Sequence, residues 1–143
     1  MILKGDNQEI ELLVEGYEYP NLKSNNFWDY NWLMLYCRKT IKGETVSGRF
    51  ACFVTTELNR LRSLLLQFFY DEIECVEWGG TEPNFQILIE KEGFLEIYFY
   101  SESGPEKFNA VKIFRKYAEK EDVKQLIDFC EDSLKKYPIR EIE

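Results

Sequence analysis

A strict two-residue alternation sets the frame of this chain. From Glu9 to Glu15, Ile10, Leu12 and Val14 fall on one side while Glu9, Glu11 and Glu15 fall on the other. That is the pattern of a strand with one dry face and one wet face. Gly16-Tyr17-Glu18-Tyr19-Pro20 ends the run, and Asn21 to Asn26 reads as a polar loop. Asn31 to Thr40 is a second strand, Lys42-Gly43-Glu44 a hairpin turn, and Thr45 to Val54 a returning third strand. These three predict an antiparallel meander. The spacing then changes. Leu58, Leu61, Leu65 and Phe68 recur at helical intervals, with Leu64 and Phe69 widening the stripe, so a helix is expected to about Tyr70. Thr55 or Thr56 is its expected cap, and Glu57 in the first turn suits the macrodipole.

Four more strands are expected at Ile73 to Trp78, Asn84 to Lys91, Phe94 to Ser101 and Ala110 to Tyr117, separated by Gly-, Ser- and Pro-bearing turns. A last helix is expected from Asp122, capped by that carboxylate with Gln125 as a capping-box partner, and ended by Pro138. Its buried stripe is Val123, Leu126, Ile127, Cys130, Leu134 and Tyr137. The order βββα-ββββα, with short links, argues for an α+β fold. It is expected as an antiparallel β-sheet of about seven strands with two helices, in a single domain over 1–143.

Charge is as unevenly distributed as the spacing is regular. Between Asp71 and Glu106 ten side chains are acidic and only Lys91 is basic, while the rest of the chain carries 17 bases against 16 acids. A localised field draws an oppositely charged partner far better than the same charge spread evenly. A cationic protein fits. Nucleic acid does not, because phosphate binding needs clustered Lys and Arg. No apolar run approaches the ~20 residues of a membrane-spanning helix, so no membrane partner is expected. The opening Met1-Ile2-Leu3-Lys4-Gly5-Asp6 lacks a basic region followed by an apolar one, so no signal peptide is expected and the cytoplasm is the expected compartment.

Histidine is absent. With it go Ser-His and Cys-His nucleophile pairs and the usual zinc sites. Cys37, Cys52, Cys75 and Cys130 are scattered without a CxxC pair and fall among apolar residues, so they read as reduced, buried small hydrophobes. Asp29 and Glu82 are the carboxylate pair best placed for catalysis, but glycosidase chemistry would need them about 5–10 Å apart in a cleft. A divalent ion would need three or more converging oxygens. Neither is visible in the sequence. No catalytic residue, metal or cofactor is expected, and the chain reads as a non-enzyme.

Three short motifs stand out: Gly16-Tyr17-Glu18-Tyr19-Pro20, Asp29-Tyr30-Asn31-Trp32-Leu33 and Glu82-Pro83-Asn84. Each has a plain role in shaping a loop or sheet corner, through glycine's backbone freedom, proline's fixed φ and Asx side chains that bond nearby amides. In that order, with the Thr56-Glu57-Leu58 helix start between the second and third, they resemble the WapI family of bacterial immunity proteins over roughly Glu9 to Ile89. The resemblance implies a cytosolic protein that binds and neutralises the C-terminal toxin domain of a secreted polymorphic toxin, in the founding case an RNA-degrading one. It implies no catalytic residues.

The acidic stretch points the same way independently. In Phe94 to Ser101, Leu95, Ile97 and Phe99 share one face, and Glu96, Tyr98 and Tyr100 share the other. In the expected hairpin partner Gln86, Leu88 and Glu90 alternate with Phe85, Ile87 and Ile89. A solvent face mixing carboxylates with tyrosines has the chemistry of a protein interface. The expected function is stoichiometric occlusion of a basic toxin domain, with contacts at Glu74, Glu77, Glu90, Glu96, Tyr98 and Tyr100, and at Asp29 and Glu82. The alternative is a carbohydrate-binding module in which Trp28, Tyr30 and Trp32 stack on a sugar ring.

Overall fold

A computed structural model describes residues 1–21, 27–80, 85–100 and 110–141. Four strands form a first antiparallel sheet in the order β1 (Ile2–Gly5), β2 (Gln8–Tyr17), β3 (Trp32–Ile41) and β4 (Glu44–Val54). Four more form a second antiparallel sheet: β5 (Cys75–Gly79), β6 (Phe85–Glu90), β7 (Phe94–Tyr100) and β8 (Ala110–Tyr117). The helices are α1 (Phe27–Asn31), α2 (Thr55–Phe69) and α3 (Lys120–Lys136). The fold is α+β, as the spacing predicts, with two four-stranded meanders in place of one larger sheet. Local periodicity cannot say whether β4 and β5 hydrogen-bond to each other. The 15 residues of α2 stand between them and carry the chain from one sheet to the next.

Two elements go beyond what the spacing predicts. β1 is only four residues long, too short to show a period, and gains its identity by pairing Ile2 with Glu11 and Leu3 with Ile10. α1 is a single turn and a half that replaces the expected loop and strand start, so Asp29 and Asn31 sit on a helix.

Alternation decides which faces meet. Ile10, Leu12, Val14, Leu33 and Leu35 of the first sheet are buried, as are Val76, Trp78, Phe85, Ile87, Ile89, Leu95 and Ile97 of the second. They join Leu58, Leu61 and Leu65 of α2 and Val123, Leu126, Ile127 and Cys130 of α3 in one continuous core. Phe53, Trp78 and Phe85 form an aromatic cluster in it, with the indole Nε1 of Trp78 donating to the Glu57 carbonyl at 2.8 Å. A buried indole N–H needs such a partner.

The two sheets are also joined by a side chain. The Gln8 carboxamide donates to the Arg115 carbonyl and accepts from the Arg115 amide at 3.2 Å, so it acts as one rung of a ladder between β2 and β8.

The helix ends correct the expected caps. α2 begins after Val54, and the Glu57 carboxylate accepts the Val54 N–H at 3.1 Å. Thr55 instead turns its hydroxyl to Asn31. At the far end the N–H groups of Asp71 and Glu72 return to the carbonyls of Phe68 and Gln67, with Asp71 at φ +60°. This is a Schellman closure with an Asp where glycine is usual. α3 starts two residues earlier than expected. Glu119 is the cap position, and the Asp122 carboxylate accepts its N–H at 2.9 Å while also holding Lys116. Gln125 has no part in that cap. Among the described residues no helix is long and apolar enough to cross a membrane.

Candidate protein interface

The outer face of the second sheet is assembled by register. Glu77 of β5 lies opposite Leu88 of β6, Leu88 opposite Glu96 of β7, and Glu96 opposite Arg115 of β8. The neighbouring row pairs Cys75 with Glu90 and Phe94 with Tyr117, and the row on the other side pairs Gly79 with Gln86, Gln86 with Tyr98, and Tyr98 with Lys112. Strands lie about 4.8 Å apart, so Glu77 and Glu96 straddle Leu88 at roughly 10 Å. Glu77, Glu90 and Glu96 therefore share one face, together with Leu88, Tyr98, and the 40% and 53% exposed rings of Phe94 and Tyr117. The expected alternation holds: Phe85, Ile87, Ile89, Leu95 and Ile97 are buried on the opposite side.

The carboxylates are not equivalent. Glu96 takes the Tyr98 hydroxyl at 3.1 Å and approaches Arg115 at 3.5 Å, and Arg115 in turn stacks its guanidinium 3.5 Å from the Phe94 centroid. Glu77 and Glu90 make no ion pair among the described residues and stand in solvent. Glu74 precedes β5. Its side chain is 82% exposed and reaches Lys91 only at 4.0 Å, while Lys91 also approaches Asp71 at 3.6 Å. Lys91 thus reaches two of the acids at this end of the sheet, and Lys120 lines the same pocket as Asp71, Glu90 and Glu92 while lying over the Phe69 ring.

The first sheet treats its outward acids differently. Glu9 and Glu11 of β2 are held by Arg38 of β3 at 3.1 and 3.4 Å, with Lys4 at 3.9 Å from Glu9. Glu15 receives Arg49 at 2.7 Å, and Arg49 also lies over the Tyr36 ring. Glu9 and Glu11 thus have in-register cations on neighbouring strands, Lys4 on β1 and Arg38 on β3, while Arg49 reaches Glu15 from β4, across β3.

The first two sequence motifs lie elsewhere, and Glu82-Pro83-Asn84 falls outside the described residues. Gly16 sits at a β-bulge with φ +149°, a conformation that side-chain-bearing residues rarely adopt, and this turns Tyr17 out of the alternation. Asn31, fully buried, donates from Nδ2 to the Arg140 carbonyl at 2.9 Å, and its Oδ1 accepts from the Arg140 N–H at 2.7 Å and the Thr55 hydroxyl at 3.0 Å. Tyr17 donates to the Pro138 carbonyl, and Tyr137 donates back to the Glu15 carbonyl at 3.1 Å. The first motif, the second and the start of α2 are therefore parts of one junction that receives the segment after α3. Sequence reasoning assigned these motifs to loop shaping, and had no signal for the segment they receive.

Of the expected contact residues, Glu77, Glu90, Glu96 and Tyr98 come together on one face, and Glu74 adjoins it. Tyr100 lies on β7, paired with Ala110, and its side chain is outside the described residues, as is the whole of Glu82. Asp29 is on α1, which leads into the first sheet, so it does not belong to this row. Phe94, Tyr117 and Arg115 belong to the face and were missed, although the alternation that placed Glu96 also places Phe94. The ring of Tyr30, one of the expected sugar-stacking aromatics, is covered by the Arg140 guanidinium at 3.9 Å.

Cys52 and Cys130 are buried and Cys37 half-buried, and burial pushes the Cys37 thiol up to about 11 and Cys130 to about 12. Cys75 departs from the expectation: it is exposed, because it falls on the outer face of β5. No three His, Cys, Asp or Glu side chains converge to hold a metal ion among the described residues.

The sequence model of the family described as immunity protein WapI-like matches residues 1–138. No curated protein matches the chain.

Proposed function

The chain belongs to the WapI-like immunity protein family, and from that premise we propose that it neutralises a cognate toxin domain by binding it stoichiometrically through the outer face of the second sheet. Membership carries the role in immunity to a toxin. The observation that supports this surface is the contrast in pairing. Glu77 and Glu90 stand in solvent without ion pairs among the described residues, beside Leu88, Phe94 and Tyr98, whereas Glu9, Glu11 and Glu15 of the first sheet already have cations.

The partner is a cationic domain. A nuclease fits, since a protein that grips phosphates presents lysines and arginines that an acidic sheet competes for. Glu77, Glu90 and Glu74 supply the steering field, Glu96 is aimed by Tyr98 and Arg115, and the aromatic rings supply rigid contact area. Inhibition on this reading is occlusion without turnover, and the cytoplasm is where it acts. The test is the association rate of the full chain with its cognate toxin domain as salt is varied. A rate that falls steeply with ionic strength supports the proposal, and a flat one overturns it.

A further inference from the structure

Arg140 ends in a site built from parts far away in sequence. Its Nη1 donates to the Pro20 carbonyl at 3.1 Å, its Nη2 to the Tyr19 carbonyl at 3.0 Å and also to the Tyr30 carbonyl, and its Nε to the Tyr30 carbonyl at 2.8 Å. The Tyr17 and Tyr30 ring centroids lie 3.7 and 3.9 Å from its Cζ. Two rings this close to one carbon cannot share a face of the guanidinium, so they flank it. A guanidinium presents N–H donors around its rim and two weakly hydrated π faces, and this site answers both with carbonyls at the rim and aromatic rings above and below. An ammonium, compact and strongly hydrated, has neither the fork nor the faces.

We propose that the Tyr17–Pro20 and Tyr30–Asn31 segments form a guanidinium receptor, occupied from within the chain by Arg140, and that its occupancy locks α1 against the end of β2. The lock is a chemical one. Tyr19 and Pro20 follow β2, Tyr30 belongs to α1, and the cation is what their carbonyls have in common. Asn31 sets the register by gripping the Arg140 backbone on both sides. The inference goes beyond the toxin-binding surface and uses none of its carboxylates, so it stands or falls apart from that reading.

The full-length chain carrying Arg140→Ala tests it. Its melting temperature should fall by about 5 °C or more, as expected when several charge-assisted bonds and two stacking contacts are lost. Guanidinium chloride at tens of millimolar should then raise the melting temperature of the variant, while sodium chloride of equal concentration does not. The wild type, its receptor filled, should gain nothing. Equal responses of variant and wild type to guanidinium overturn the proposal. Where Arg140→Ala does not fold, Arg140→Lys decides: it keeps the charge and loses the planar fork, and a wild-type melting temperature in that variant overturns the proposal, whereas a lowered one supports it.

Discussion

The two sheets of this protein are alike in strand count and connectivity and opposite in how their outer faces handle acid. On the first, Arg38 sits between Glu9 and Glu11, and Arg49 takes Glu15, so the field is cancelled where it arises. On the second, Arg115 attends Glu96 and Lys91 stretches toward Asp71 and Glu74, while Glu77 and Glu90 stay in water. A sheet face whose charges are paired internally has little to offer a partner, because a newcomer must first break bonds already made. An unpaired face costs some self-repulsion and keeps its field available at range. The same alternation, on equal numbers of strands, thus yields one face that is finished and one that is waiting.

That contrast is easiest to break by moving charge. Replacing Glu77→Lys together with Glu90→Lys should slow association with the cognate toxin domain on the order of tenfold or more at low salt and leave the fold intact. Asp6→Lys with Glu44→Lys, exposed positions on the first sheet, changes the net charge equally and should slow it far less. Similar rates for the two pairs, read by stopped flow, would show that only net charge matters. A contact test comes next in size. Cys75 should react with a maleimide in the native protein while Cys52 and Cys130 resist, and the adduct, standing in the row of Glu90, should weaken toxin binding by about tenfold, the scale of an obstructed contact patch. Cys75→Ser should be indifferent to the reagent. Full affinity in the adduct would move the interface elsewhere.

Stability sharpens the comparison from the other side. Arg38→Ala leaves Glu9 and Glu11 facing each other across one strand position without their shared cation, and should lower the melting temperature measurably. Lys91→Ala removes a cation with two long, exposed contacts and should change it by no more than the scatter of a melt, as exposed ion pairs usually do. Equal losses would mean that the second sheet is as internally paired as the first.

The strand faces were largely legible in the sequence. Ile10-Leu12-Val14 and Phe85-Ile87-Ile89 each show a two-residue period, and a period fixes which side chains are dry whatever sheet the strand joins. That is why spacing alone groups Glu77, Glu90, Glu96 and Tyr98. The division into two sheets was not legible, because pairing between β4 and β5 is a long-range choice with no local mark. Nor was the neutralisation of Glu9, Glu11 and Glu15, since Arg38 and Arg49 reach them from other strands, across separations of 27, 29 and 34 positions. The caps misled for a related reason. Thr55 and Asp122 are good capping residues by type, but Asn31 and the backbone of Glu119 determine what each of them bonds.

The junction at Asn31 also sets a clock. Its carboxamide is fully buried, and both ends are satisfied by residue 140, which is separated from it by 109 positions; Gln8 waits similarly, 107 positions, for Arg115. During synthesis the first sheet emerges long before either partner has been made. Its first meander can form early, yet its polar seams stay open to water until β8 and the segment after α3 arrive. A ribosome-bound chain halted before residue 140 should therefore be far more protease-sensitive at Tyr17–Pro20 and Tyr30–Asn31 than one that includes it. The first sheet is thus completed by residues that come at the end of the second or after it.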